Sequence, residues 1–135
     1  MKIKICGVSN LGDATEISAA GADYIGLIFA EKSPRRIDAS AARAVASAGL
    51  SAKLVGVFVD SPADFVRRTA EEYGLAAVQL HGNEDVRYLE SLRGLGAELW
   101  KAVWLSSEAD VEMAAEFPCG KLVIDSSRGK LRGGT

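Results

Sequence analysis

Six short runs of β-branched and apolar residues recur along the chain at intervals of about 20–30 residues, and all but the last lead into a helix-like segment. The runs are KIKIC, ADYIGLIF, KLVGVFV, AAVQL, ELWKAV and KLVID. Strands separated by a helix cannot be joined by a tight turn, so they must pair in parallel through crossover connections. Local punctuation agrees with this division. Asn10 is placed to cap the first helix and Gly21 to end it; in the third helix Ser61 is the expected cap, Pro62 the first helical residue and Gly74 the stop. The helix after the second strand is expected over AARAVASAG, and the one after the fourth over NEDVRYLESLRGLG.

A chain of 135 residues with 48% hydrophobic and 25% charged residues has enough material for one domain with a core. Its net charge of −2 gives no electrostatic case for a nucleic-acid or membrane-surface partner, and no apolar run approaches the ~20 residues that span a bilayer. Two distant cysteines, Cys6 and Cys119, and a single histidine do not make a structural metal site, so no metal is expected. Free thiols fit a reducing, cytoplasmic compartment.

Repeated β–α units admit two arrangements, a doubly wound open sheet or a (β/α) barrel. No G-x-G-x-x-G follows the first strand, which weakens a dinucleotide-binding sheet. The residues able to carry chemistry favour the barrel. Cys6 ends the first strand, KSPRR follows the second, and Gln79 and His81 end the fourth. Lys101 lies near the end of the fifth, and Asp125 ends the sixth. Active sites of parallel barrels are assembled on that face, from the loops of several strands.

KICG, KSPR, VGVFV, VQLHG and the final D…GGT, in order and at fitting spacings, resemble phosphoribosylanthranilate isomerases of tryptophan biosynthesis. The resemblance runs the length of the chain. It implies a parallel (β/α) barrel of TIM type, with residues 1–135 covering about six of eight strands as a single domain incomplete at its C-terminus. It also implies an Amadori rearrangement of a phosphosugar substrate, chemistry that uses one acid and one base and no cofactor. Cys6 corresponds to the base and Asp125 to the acid. Arg35 corresponds to the partner of the anthranilate carboxylate, where a planar guanidinium offers a bidentate match. Arg36, at a position more often aromatic in the family, has another role. Gln79 and His81 would line the substrate. Gly133 and Gly134 belong to a glycine-rich lid that Arg128, Lys130 and Arg132 make basic.

Each residue also has an ordinary reading: Cys6 as a small buried hydrophobe, Asp125 as a turn residue, His81 as a structural histidine. A catalytic Cys6 requires a thiolate, favoured by a nearby cation or helix amino end. Cys119, beside Pro118 and Gly120, reads as packing or surface. About 60–70 further residues would complete a barrel of typical size, supplied by a C-terminal segment or a separate chain. Two alternatives stand beside this assignment: another phosphosugar isomerase or lyase on the same barrel, and an inactive half-barrel that needs its missing part.

Overall fold

A computed structural model of the chain describes residues 1–126. Within them the elements alternate strictly: β1 Lys4–Cys6, α1 Leu11–Ala19, β2 Tyr24–Ile28, α2 Ala39–Ser47, β3 Lys53–Phe58, α3 Ala63–Glu72, β4 Ala77–Leu80, α4 Val86–Ser91, β5 Glu98–Val103, α5 Glu108–Ala115 and β6 Lys121–Ile124. The six strands form one sheet in the order β1-β2-β3-β4-β5-β6, and every neighbouring pair is parallel. A doubly wound sheet reverses its strand order at a switch point. Here the order follows the sequence without reversal, which removes that alternative and leaves the barrel type.

The register divides the side chains into two sets. Tyr24 pairs with Lys53, Val55 with Ala77, Gln79 with Trp100, and Ala102 with Val123. Successive residues on a strand point to opposite faces. One face therefore carries Cys6, Gly26, Val55, Ala77, Gln79, Trp100 and Val123. The other carries Ile25, Leu27, Leu54, Phe58, Val78, Leu80 and Leu99, which pack on Ala14, Ala42, Val45, Val66 and Leu89 of the helices and on Leu92 at the end of α4. That second face holds the main core. The first has its own filling, with Val55, Ala77 and Trp100 packed on Tyr24 and Val123, and the Tyr24 and Trp100 rings edge to face at 5.2 Å.

Helix boundaries follow the caps. Asn10 accepts from the Asp13 N–H at 2.8 Å, and Gly21 takes a φ of +98° just past α1, as expected of both. Asp38 caps α2 and starts it two residues before the expected Ala41. The expected Ser61 cap is not formed. Pro62 occupies that position without a side-chain hydrogen bond, and the Ser61 carbonyl accepts from the Tyr88 hydroxyl at 2.5 Å.

The fourth helix also begins later than expected, at Val86 behind an Asp85 cap, because Glu84 is drawn into the interior. Lys101 stands on the helix side of β5, opposite in direction to Trp100 and Ala102. Its ammonium donates to the Gly82 carbonyl at 2.8 Å and to Glu84 Oε1 at 3.0 Å, with the two side chains 3% and 1% exposed. Glu84 also accepts the Gly82 and Asp60 N–H groups, each at 2.9 Å. This network ties together the loops after β3 and β4 and the strand β5. Lys101, counted among the residues available for chemistry, is thus committed to structure.

Removing one member of a buried, hydrogen-bonded ion pair leaves a charge without its partner, which typically costs about 3–5 kcal/mol. Glu84→Ala or Lys101→Met should lower the urea unfolding free energy by about that much, and the combination Glu84→Leu with Lys101→Met by less than either. A single substitution costing under about 0.5 kcal/mol would mean that the pair does not hold the loops.

Tyr88 supplies a pH signature. Burial, followed by the Glu84 and Asp60 charges, pushes its phenol up to about 12. The unfolded chain ionises near the ordinary value of about 10, so folding is favoured below that pH and the contribution is lost as pH rises from about 10 through 12. Tyr88→Phe should flatten that alkaline loss in a pH series of unfolding curves.

Candidate active site

The strand ends on the inward face bring two groups of side chains to one end of the sheet. The first centres on Cys6. It closes β1 opposite Gly26 of β2, and a methyl group at position 26 would sit 2.7 Å from the Cys6 Sγ and 3.1 Å from its Cα. Only a residue without a Cβ leaves room for the thiol. The chain then turns through Gly7 at φ +83°, and the Arg35 side chain lies over this turn, where a Cβ would fall 2.8 Å from its Cζ. Arg35 Nη1 donates to the Cys6 carbonyl at 3.4 Å, and the Arg35 N–H donates to Ser33 Oγ at 3.2 Å. The loop after β2 thus brings a cation to Cys6. Arg36 is exposed on the same loop, where its backbone pairs with Ile28.

The second group is a file of hydrogen bonds across the inward face. Lys4 Nζ donates to Gln79 Oε1 at 2.6 Å, and Gln79 Nε2 meets His81 Nδ1 at 2.8 Å. His81 Nε2 meets Asp125 Oδ2 at 2.9 Å. Gln79 and His81 are each 4% exposed, and the Asp125 side chain is 17% exposed. Trp104, just beyond β5, sets its ring edge to face against His81 at 5.7 Å.

Four of the sequence-selected residues therefore fall into these two groups with Asp125: Cys6 with Arg35, and Gln79 with His81. Gly133 and Gly134, with the basic residues Arg128, Lys130 and Arg132, lie outside the described residues. Cys119 sits against the helix-side core, and burial pushes its thiol up, which fits a packing role. Lys4, Gly26 and Trp104 were not singled out from the sequence. Alternation would have placed Lys4 on the Cys6 side of its strand, but Gly26 and Trp104 depend on register with a neighbouring strand.

A parallel barrel-type sheet with its polar and nucleophilic side chains gathered at the carboxyl ends of the strands defines the class: a (β/α)-barrel protein of the TIM type. The chain belongs to the N-(5'-phosphoribosyl)anthranilate (PRA) isomerase family, whose model matches residues 3–133. The N-(5'-phosphoribosyl)anthranilate isomerase of Bacillus mycoides is 36% identical over 134 residues, covering 99% of this chain and 64% of that protein. The tryptophan biosynthesis protein TrpCF of Yersinia pestis is 47% identical over 103 residues, covering 74% of this chain and 22% of that protein. A phosphoribosyl anthranilate isomerase solved in complex with reduced 1-(o-carboxyphenylamino)-1-deoxyribulose 5-phosphate superposes with a TM-score of 0.83 at 34% identity, covering 93% of this chain and 64% of that one. The chain thus spans less than two thirds of the length of these relatives.

The fit of Cys6 against Gly26 can be tested directly. Gly26→Ala should cost about 1–3 kcal/mol in urea unfolding, the range for overpacking a filled site, because the methyl group meets the Cys6 backbone as well as its sulfur. A loss within about 0.5 kcal/mol would show that the strands part easily there.

Proposed function

We propose that this chain supplies the acid and base of a phosphoribosylanthranilate isomerase, acting in tryptophan biosynthesis once its barrel is completed. The observation that carries the proposal is the placement of Cys6 and Asp125, in a chain of this family, on the inward face at the carboxyl ends of β1 and of β6.

In the proposed reaction Asp125 protonates the ribose ring oxygen of N-(5-phosphoribosyl)anthranilate. The ring C–O bond breaks and the nitrogen lone pair forms the C=N bond of a Schiff base. Cys6, as thiolate, then removes the proton from the adjacent sugar carbon, and those electrons form the enolamine. Tautomerisation yields the 1-amino-1-deoxyribulose phosphate. The rearrangement is an isomerisation in which protons move and nothing is oxidised or lost, so an acid and a base suffice. Arg35, whose guanidinium already lies beside Cys6, is assigned to the anthranilate carboxylate. His81 and Gln79 line the site, and Gly133 and Gly134 are assigned to a covering loop. No other group is required.

Completion of the barrel is part of the proposal. Ile3 and Ile5 of the β1 side and Leu122 and Ile124 of β6 are 41–67% exposed, as are Val111 and Met113 of α5 at 53% and 59%. Further β–α units, in the same chain or a second one, would cover these edges. The same observation favours a second reading, in which residues 1–135 by themselves are an inactive part of the barrel.

Turnover of phosphoribosylanthranilate separates the two. The 135-residue chain alone should turn over negligibly, and the chain joined to or mixed with the completing units should be active. In the active form Cys6→Ser should lower kcat by about 10²–10⁴-fold, the range for loss of a general base, and Arg35→Ala should act chiefly on KM. A Cys6→Ser enzyme with near-normal kcat would remove Cys6 from the mechanism.

A further inference from the structure

We propose that Lys4, Gln79 and His81 are positioning residues that hold the imidazole as its Nε2–H tautomer and so dictate which oxygen of Asp125 carries the transferred proton. This rests on the assignment of Asp125 as the acid.

Lysine has three donors and no acceptor, so the group 2.6 Å from its nitrogen must be the amide oxygen of Gln79. That removes the usual freedom to exchange the amide's oxygen and nitrogen. The Gln79 NH₂ then faces His81 Nδ1 at 2.8 Å. An NH₂ can only donate, so Nδ1 must accept and the ring proton resides on Nε2. Nε2–H in turn donates to Asp125 Oδ2 at 2.9 Å. Gln79 on β4 and His81 just past its end share the inward side and are almost wholly buried, and Trp104 backs the ring from just beyond β5. One cation on β1 thereby sets the state of a carboxyl just past β6.

The alternative tautomer shows why this matters. With the proton on Nδ1, a bare Nε2 would stand 2.9 Å from Asp125 Oδ2 and accept the proton that Asp125 has to deliver. The Nε2–H tautomer denies Asp125 that internal acceptor. It occupies Oδ2 as an acceptor in both protonation states of the carboxyl, so proton exchange with the substrate proceeds through Oδ1.

The chain contains one histidine, so its two ring nitrogens can be observed without ambiguity by ¹⁵N NMR. The measurement is made on the ¹⁵N-labelled 135-residue chain at mildly alkaline pH. Proton–nitrogen couplings should report almost only the Nε2–H tautomer. Lys4→Met releases the amide and should give a mixture containing Nδ1–H, whereas Lys4→Arg keeps a donor and should preserve the original state. Should Lys4→Met fail to fold, Gln79→Met removes the same NH₂ donor and should give the same mixture. A wild-type ring in the Nδ1–H form, or an unchanged ring in the folded Lys4→Met or Gln79→Met chain, would overturn the proposal.

In the completed, active barrel Lys4→Met should lower kcat about tenfold, less than the 10²–10⁴-fold of losing an acid outright, with KM little changed and Lys4→Arg restoring the rate. A Lys4→Met enzyme of normal kcat would overturn the catalytic part. The two readings fail separately. The expected tautomer without turnover in the completed barrel would sink the functional assignment, and Asp125-dependent turnover with the wrong tautomer would sink only this one.

Discussion

The parallel register of the six strands is the constraint on which everything else in the molecule rests. Side chains alternate between the faces of a strand, so a slip of one residue would exchange the two sets entirely. Cys6, Gln79, His81 and Asp125 share the inward face only because Cys6 lies beside Gly26, Val57 beside Gln79 and Ala102 beside Val123. The same parity sends Ile25, Leu27, Val78 and Leu80 to the helices, where they build the main core. Hydrophobic burial therefore fixes the register, and the register places the polar groups. A slip that brought Gln79 outward would bury an amide among leucines and valines and expose apolar side chains on the inward face, losing on both sides.

Two polar systems occupy opposite faces of this sheet and are built differently. On the helix side, Lys101 and Glu84 form a closed set in which the ammonium and both carboxylate oxygens are engaged by loop backbone and by each other. Such a pair stiffens the loops leaving β3 and β4. On the inward side, the file from Lys4 to Asp125 runs from one strand to another and ends at a carboxyl that retains partial exposure. The first system is sealed in the interior and can only hold. The second reaches the opening at its last member, the carboxyl assigned to the proposed proton transfer.

Much of this architecture was legible in the sequence, for reasons that also explain the remainder. The six strands and their order of connection were visible because apolar runs and amphipathic segments alternate with capping residues between them, as with Asn10 and Gly21 around α1. Cys6, Gln79, His81 and Asp125 were visible because each is a reactive or polar residue at or just past a strand end, whereas Arg35, in the loop after β2, was told from Arg36 only by the family resemblance. The direction of Lys101 was not. Both faces of a strand in such a barrel are buried, so ELWKAV has no clean alternation to tell the inward face from the outward one. The delayed start of α4 had the same cause, since Glu84 reads as a first-turn helical acid until its distant partner is known. Lys4 was not singled out, because its meaning depends on a glutamine 75 residues away.

The placement of Cys6 on the first strand and Asp125 after the last described one makes the site a property of the whole sheet. Their relative position is not set by a local loop but by the twist and curl accumulated over every strand pair between them. A misplacement of about 1 Å can cost on the order of a hundredfold in rate. Between the proposed base and acid the structure contains a connection that bypasses the curl: Lys4, two residues before Cys6, reaches directly to Gln79 on β4, and His81 reaches from there to Asp125. This file of contacts spans the interior as a chord across the arc of strands. It couples the strand that bears the proposed base to the residue that bears the proposed acid, independently of the intervening β2, β3 and β5. The buried positions of Gln79 and His81 make the chord stiff, and a charge-assisted bond from the half-buried Lys4 anchors one end while a carboxyl closes the other.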